Sequence, residues 1–298
     1  MGTHQQDLYE GLVAAHAEQK QSDKSNIFMV LKKAANHPLL LRNTYTDEKL
    51  NRITEVCIAH HYFGSKVLDF DKNKAALMKM SDYDLHLVCM DLRNYLSDLI
   101  LPREKLYDSP KLCWMKTHLP NMIGEGHRIL IFSQWVKLLD LVEILLKDLN
   151  IRFLRMDGKE TDVGRRQELV NEFSEAAPEG QLHSIPVFLL TTGVGGLGLN
   201  LTAADTVILH DIDFNPENDR QAEDRAHRIG QTKEVKVFKL VTAGSVDEDI
   251  FKMAERKTEL TEAVLSDNNG DKKKSSEISI ISRILQSALE RHKDRGQK

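Results

Sequence analysis

Apolar residues recur at helical intervals through the N-terminal part of the chain. Residues 26–35 carry apolar side chains three and four positions apart, and amphipathic segments continue over residues 47–102. This spacing places the apolar side chains on one face of a helix. Pro38 ends the first of these segments, and we expect Asn36 and His37 to cap the helix terminus before it. The pattern predicts a predominantly helical N-terminal region.

The pattern changes after a turn near Gly124 and Gly126. Short apolar runs then alternate with amphipathic helices, and the runs RILIFSQW, IRFLRMDGK, PVFLLTT, TVILHDID and VKVFKLV predict five strands. Such alternation is typical of an α/β fold with a parallel sheet. Strands of such a sheet present functional groups at their carboxyl ends. The residues at these ends are Ser133, Gln134, Asp157, Gly158, Thr191, Thr192 and Asp211.

Composition narrows the functional classes. The net charge of −4 does not indicate general nucleic-acid binding, so any contact with DNA must come from local patches. No apolar run is long enough to span a bilayer, and the N-terminus lacks a secretory pattern, so we expect no membrane partner. Cys57, Cys89 and Cys113 are too scattered for a disulfide framework or a metal site. We therefore expect free thiols and no metal ligands.

The stretch QAEDRAHRIGQT, residues 221–232, carries the strongest candidate chemistry. Gln221, Arg225 and Arg228 are four and three positions apart, which would place them on one face of a continuing helix. Two guanidinium groups held side by side present positive charge and several N–H donors, which match the oxygens of a phosphate. The alternative is a solvated helix with local charge pairs, for instance Asp224 with Arg228. The neighbouring motifs favour the phosphate interpretation.

These residues resemble motif VI of superfamily-two helicases, in the HRIGQT form of SWI/SNF-type chromatin-remodelling ATPases. Further blocks follow the order of that family: FSQW resembles motif IV, MDGKET the DGxT block, TTGVGGLGLNL motif V, and ILHDIDFNPENDRQ motif Va. VLKKAANHPLLL and SPKLCWMKTHLP are similar to helical blocks of the same ATPases. The sequence HDID within motif Va resembles the form found in the SMARCAD-like subclass of these ATPases. The resemblance covers roughly residues 109–266.

The resemblance implies a RecA-like second motor lobe that acts with a first lobe on double-stranded DNA and nucleosomes in the nucleus. ATP with Mg²⁺ would be bound mainly by the first lobe. Arg225 and Arg228 would stabilise charge on the transferred phosphoryl group, and Gln221 would couple the nucleotide to the lobe contact. Nucleotide contacts are expected at Gly196, Gly198, Asn200 and Asp224. DNA contacts are expected at Ser133, Gln134, Asp157, Gly158, Lys159, Thr191, Thr192 and Gly195.

Four segments follow from the combined pattern. Residues 1–125 form a helical protrusion and insert, and residues 126–244 form the RecA-like C-terminal lobe. Residues 245–266 form a helix that braces the lobes or packs on its own sheet. Residues 267–298 comprise a polar linker and a basic helix that docks on a partner, meets DNA or remains a solvated tail.

Two departures from the family pattern affect the expected DNA contacts. Gly193 and Val194 stand where the family has a basic residue followed by a small one, so one phosphate contact is missing. The segment DGKE, residues 157–160, has Glu160 where the DGxT block has threonine, and Thr161 follows immediately. Lys159 is either a compensating phosphate contact or a solvated lysine.

Two alternative functions remain to be weighed. Gly193, Gly195 and Gly198 fit the GxGxxG fingerprint of dinucleotide-binding oxidoreductases, but too little chain follows for the required helix. The sequence contains no GxxxxGK[ST] motif and no DExH-type acid pair. We therefore expect the C-terminal part of a longer motor, with negligible ATP hydrolysis by this chain alone. The second alternative is a non-catalytic module that binds DNA or a partner without a first lobe.

Overall fold

The fold is taken from a computed structural model, which describes residues 1–18, 24–64, 69–158, 162–175, 185–195, 198–263 and 273–296. Its centre is a five-stranded sheet in the order β2-β3-β1-β4-β5. All pairs of neighbouring strands are parallel, which confirms the predicted α/β class. The strands are β1 (Ile129–Ser133), β2 (Phe153–Met156), β3 (Val187–Thr191), β4 (Thr206–Leu209) and β5 (Lys236–Lys239).

Helices account for most of the remaining described chain. Those before the sheet are α1 (Thr3–Glu18), α2 (Lys24–Asn36), α3 (Asp47–Ala59), α4 (Phe70–Met78), α5 (Asp82–Asp91), α6 (Arg93–Leu96), α7 (Arg103–Leu106) and α8 (Pro110–Gly124). Those within and after it are α9 (Val136–Asp148), α10 (Val163–Ser174), α11 (Thr192–Gly195), α12 (Pro216–Glu223), α13 (Val246–Ala263) and α14 (Lys273–Gly296). Short 3₁₀ turns lie at Pro38–Leu40 and Ser97–Leu99. None of these described helices is both long and apolar enough to cross a lipid bilayer.

Side-chain caps define where several helices begin. Ser81 and Asp84 form a reciprocal capping box at the start of α5, and Asp162 accepts hydrogen bonds from two backbone amides at the start of α10. Such caps satisfy amide groups that have no partner within the helix. At the end of α2, His37 Nδ1 accepts from the amide of Leu39, and Asn36 donates to the carbonyl of Lys32. Asn36 therefore bonds back onto the last turn of α2, whereas His37 caps the 3₁₀ turn Pro38–Leu40 that follows and not α2 itself.

The two faces of the sheet bury different sets of helices. Ile129 and Ile131 of β1 face a core shared with α8, α9 and helices of the N-terminal region. Leu130 and Phe132 face the opposite core, which includes Phe173 of α10. This alternation follows from the two-residue period of a strand. The helices α3 to α8 therefore share one continuous core with the sheet.

A third hydrophobic cluster joins the two ends of the chain. Tyr9 of α1, Phe28 of α2 and Ile250 of α13 pack with Ile284 and Leu285 of α14, and all five are buried. Near this cluster, Arg291 of α14 forms an ion pair with Asp249 at 2.5 Å. The C-terminal helix is thus docked on its own chain along residues 281–292, and the expectation of a solvated tail is wrong for that part.

Candidate functional site

The segment of motif VI, residues 221–232, does not form the continuous helix that its spacing predicts. The helix α12 ends at Glu223, and turns follow as far as Gly230. The carbonyl of Arg225 accepts a hydrogen bond from the amide of Leu201, at 3.0 Å, so it is directed toward motif V. Gly230 has a φ of +105°, which a right-handed helix does not allow. Tertiary hydrogen bonds have replaced the local helical pattern here.

Arg225 is buried, and part of its guanidinium is unsatisfied. The side chain is 8% exposed, and Nε donates to the carbonyl of Gln221 at 3.0 Å. Its Nη1 has no hydrogen-bond partner among the described residues. Burial lowers the pKa of this guanidinium, the nearby charge of Arg228 lowers it further, and Asp224 opposes the shift. An anion placed beside Nη1 would satisfy this group and offset the repulsion between the two arginines.

Arg228 is exposed, and its orientation is set by motif V rather than by a neighbouring acid. Its Nη1 donates to the carbonyl of Gly198 at 2.7 Å and to that of Leu199 at 3.5 Å. Asp224 is exposed, and in the described chain the guanidinium of Arg228 is held by backbone carbonyls instead. The local charge pair considered from the sequence is therefore replaced by a contact between motifs. Arg228 keeps a solvent-facing position next to Arg225.

Gln231 fixes the far end of motif VI against the loop that follows motif V. Its Nε2 lies 3.2 Å from the carbonyl of Thr202, 2.7 Å from that of Ala204 and 3.1 Å from that of Ala226. Its Oε1 accepts from the amide of Lys233 at 2.9 Å. Three surrounding carbonyls suit the donor side of an amide. Sequence reasoning quoted this residue within the motif without assigning it a role.

The other predicted nucleotide residues lie around the two arginines. Gln221 and Asn200 are exposed, and Asn200 directly precedes the residue whose amide binds the carbonyl of Arg225. Gly198 has a φ of +75°, a conformation that favours glycine, and space around its Cα is open. The structure thus brings Gly198, Asn200, Gln221, Asp224, Arg225 and Arg228 to one region. Gly196 lies outside the described residues. Their nucleotide contacts stay predictions.

Motif IV is buried more deeply than the predicted DNA contacts require. Ser133 is fully buried, and its hydroxyl donates to Asp211 at 2.5 Å. Asp211 also accepts from the amide of Gln134, and burial raises the pKa of its carboxyl. Lys32 donates to Gln134 Oε1 at 2.9 Å. In this arrangement Ser133 positions its neighbours and does not face solvent, whereas the half-buried Gln134 remains a candidate contact.

The remaining predicted DNA residues lie at the same carboxyl edge of the sheet. Ser133 and Thr191 are partners in the β1–β3 ladder, and Asp157 directly follows β2. The carboxylate of Asp157 is buried and accepts from Arg155 Nε and Nη2, at 3.2 and 3.0 Å. Thr191 is also buried, while Gly158 is exposed and Thr192 is half-buried. Gly195 closes α11, and Lys159 lies outside the described residues.

Lys111 joins three of the recognised sequence blocks and the helix α13 in one buried cluster. Its Nζ donates to Asn36 Oδ1 at 2.7 Å, to the carbonyl of His210 at 2.9 Å and to Asp247 Oδ2 at 2.6 Å. The side chains of Lys111 and Asp247 are each 3% exposed. Burial lowers the pKa of His210 well below its ordinary value, and the charge of Lys111 adds to that effect. The cluster holds α2, α8, α13 and the end of β4 together.

Sequence reasoning missed Lys32 and Lys111 because long-range partners give each its role. The partner of Lys32 is 102 positions away, and the partners of Lys111 are 75, 99 and 136 positions away. One signal was available for Lys111. It lies among apolar positions of a predicted helix, where an unpaired lysine is costly and a buried partner is therefore required.

Comparison with known proteins gives a consistent result. Residues 111–230 match the helicase conserved C-terminal domain. The fold is similar to the crystal structure of the C-terminal part of the Fun30 ATPase domain, with a TM-score of 0.79 and 30% sequence identity, covering 96% of this chain and 94% of that chain.

Two longer relatives show higher sequence identity. The human SWI/SNF-related matrix-associated actin-dependent regulator of chromatin subfamily A containing DEAD/H box 1 is 38% identical over 278 residues, which cover 91% of this chain and 26% of the relative. Protein CHROMATIN REMODELING 19 of Arabidopsis thaliana is 41% identical over 271 residues, which cover 88% of this chain and 34% of the relative. The chain therefore spans about a quarter to a third of the length of these relatives.

Proposed function

The chain belongs to the SWI/SNF family of helicase-like chromatin-remodelling ATPases, with a RecA-like C-terminal lobe, and we propose that it works as the second motor lobe of an ATP-dependent DNA translocase that remodels nucleosomes. Its partners are a first RecA-like lobe of the same protein and double-stranded DNA in the nucleus. ATP with Mg²⁺ is held mainly by the first lobe. The second lobe, formed by this chain, supplies Arg225 and Arg228 to the triphosphate.

The unsatisfied Nη1 of buried Arg225, next to exposed Arg228, is the observation that carries this proposal. A buried donor without a partner costs free energy until an acceptor reaches it. Phosphate oxygens supply both acceptors and the negative charge that two adjacent guanidiniums require. Guanidiniums fixed in advance stabilise charge that develops during phosphoryl transfer, because they need little reorganisation. Gln221 supports this geometry through its carbonyl, which holds Arg225 Nε.

DNA is proposed to lie along the carboxyl edge of the sheet. The candidates there are exposed Gly158 and half-buried Gln134 and Thr192, and Gly195 and Lys159 are candidates from their sequence alone. Buried Ser133, Asp157 and Thr191 would support these groups from below. Contacts of this kind address the phosphate backbone, so binding would be indifferent to sequence and sensitive to salt.

The test compares arginine variants of the full-length, two-lobed protein. Arg228→Ala and Arg225→Ala are expected to lower the kcat of DNA-stimulated ATP hydrolysis by about 10³-fold, the effect of removing an arginine finger. Nucleotide binding should persist, because the first lobe holds most of the ligand. Arg220→Ala is the matched control, since Arg220 is an exposed arginine of α12 outside the proposed site. Turnover of the Arg228→Ala protein near the wild-type value would remove the arginine-finger assignment.

The chain alone provides the complementary experiment. It is expected to hydrolyse ATP negligibly, because its sequence contains no P-loop motif and no DExH-type acid pair. Robust DNA-stimulated turnover by this chain would contradict the proposed division of labour between two lobes. If the full-length protein binds DNA but does not hydrolyse ATP, the non-catalytic binding module becomes the better description.

A further inference from the structure

Ile229 is held fully in solvent at the tip of the motif VI turn. Its relative exposure is 101%, whereas the exposed valine at the start of α10, Val163, reaches 74%. Single exposed apolar residues are common on protein surfaces and need no explanation by themselves. Ile229 differs in its setting, because a rigid turn carries it next to the proposed catalytic arginines.

The turn is fixed on both sides of Ile229. Ala226 is fully buried in the core beneath the sheet. On the other side, Gln231 binds the carbonyls of Thr202 and Ala204, and its own amide donates to the carbonyl of Arg228 at 2.9 Å. With both ends anchored, the isoleucine cannot turn inward without breaking these bonds. The apolar side chain is therefore preorganised in an outward position, which lowers the entropy lost when a partner covers it.

The surroundings of Ile229 indicate what covers it. The side chain borders an open recess of about 570 Å³, lined also by His227, Arg228, Lys233 and Glu234. Lys233 is paired with Asp205, which leaves Arg228 as a cation in contact only with backbone carbonyls among the described residues. A matching partner must present an apolar surface beside an anion. Under the proposed function, the lobe that holds the triphosphate brings an anion to this position.

We propose that Ile229 inserts into an apolar recess of the first RecA-like lobe when the two lobes close on ATP. This inference rests on the proposed function, because it takes the partner from the position of Arg225 and Arg228. The contact contributes to closure by burying apolar surface, while the arginines contribute to phosphoryl transfer. The motif VI turn thus carries a docking side chain and catalytic side chains on one rigid segment.

The experiment measures closure and turnover separately in the full-length protein. Fluorescent labels on the two lobes report closure upon addition of a non-hydrolysable ATP analogue, and steady-state hydrolysis reports kcat. Ile229→Asp is expected to lower the equilibrium constant for closure by about 30-fold, the equivalent of losing one buried isoleucine. Ile229→Ala should give a smaller loss in the same direction, and Ile229→Leu should restore closure. Val163→Asp is the matched control and should behave as wild type.

The outcomes separate this inference from the proposed function. Closure of Ile229→Asp within twofold of the wild-type value would overturn the contact, whatever the result for Arg228→Ala. A loss of DNA affinity with normal closure would also overturn it, because the partner would then be DNA. Impaired closure of Ile229→Asp together with normal hydrolysis by Arg228→Ala would support the contact and refute the arginine fingers. Ile229 is fully exposed, so its variants should keep the wild-type melting temperature of the chain.

Discussion

Lys111→Met is expected to destabilise the chain strongly, because methionine keeps the aliphatic stem and removes the buried charge. The ammonium group donates to Asn36, His210 and Asp247 over distances of 2.6 to 2.9 Å. After the substitution, the carboxylate of Asp247 stays buried without its cation. Breaking a buried ion pair from one side costs about 3–5 kcal/mol, so the free energy of unfolding should fall by about that amount.

A double-mutant cycle distinguishes the ion pair from a general packing effect. Asp247→Asn removes the buried negative charge. In the double variant with Lys111→Met, both charges are absent and no unpaired charge stays buried. Its destabilisation should be smaller than the sum of the single variants by about 1–3 kcal/mol. Urea unfolding of the chain measures all these free energies. Lys116→Met, on the exposed side of α8 with its ammonium 5.4 Å from the Tyr107 ring, is the control and should cost less than about 1 kcal/mol.

Strict additivity of the two single substitutions would refute this account of the cluster. A cost below about 1 kcal/mol for Lys111→Met would refute it as well, since that is the range of an exposed pair.

Two further predictions concern stability and use urea unfolding as the measurement. Burial lowers the pKa of His37 from 6.5 to about 4. The contribution of its neutral ring to the free energy of unfolding is therefore complete above pH 6.5 and is lost as the pH falls through about 4. His37→Gln should remove on the order of 3 kcal/mol of this acid sensitivity, and an unchanged pH profile would contradict the prediction. Gly198→Ala should cost about 1–2 kcal/mol because of its φ of +75°, whereas Gly193→Ala in α11 should cost nothing measurable. Equal effects of the two glycine substitutions would rule out backbone strain.

Local patterns were sufficient to predict the sheet and its functional edge. The strands β1 and β3 are continuous buried runs of five residues. Such runs are too short for a helical pattern of apolar positions, so their sequences indicated strands. Parallel strands then determine which residues meet, because all carboxyl ends lie on one side. Ser133, Thr191 and Asp157 were therefore placed correctly at one edge. Their burial was not predictable, since it depends on tertiary partners such as Asp211, which is 78 positions from Ser133.

Motif VI shows where a local pattern misleads. The spacing of Gln221, Arg225 and Arg228 fits a helix, yet that helix ends before the first of the two arginines. A helical period reports only the interactions between neighbouring turns. It does not include the amide of Leu201, which comes from a segment 24 positions upstream and captures the carbonyl of Arg225. The two arginines are still brought together, but through tertiary contacts and not through a shared helical face.

Those tertiary contacts join two segments that carry predicted nucleotide residues, residues 198–204 and motif VI. The segment 198–204 binds motif VI at three separated points, through Gly198 to Arg228, through Leu201 to Arg225 and through the carbonyls of Thr202 and Ala204 to Gln231. A displacement of that segment must therefore carry both guanidiniums with it or break several hydrogen bonds at once. Each such bond contributes about 0.5–1.5 kcal/mol, and more where a charged guanidinium donates, so moving the two motifs together is the less costly path. The two arginines are thus mechanically coupled to the segment 198–204.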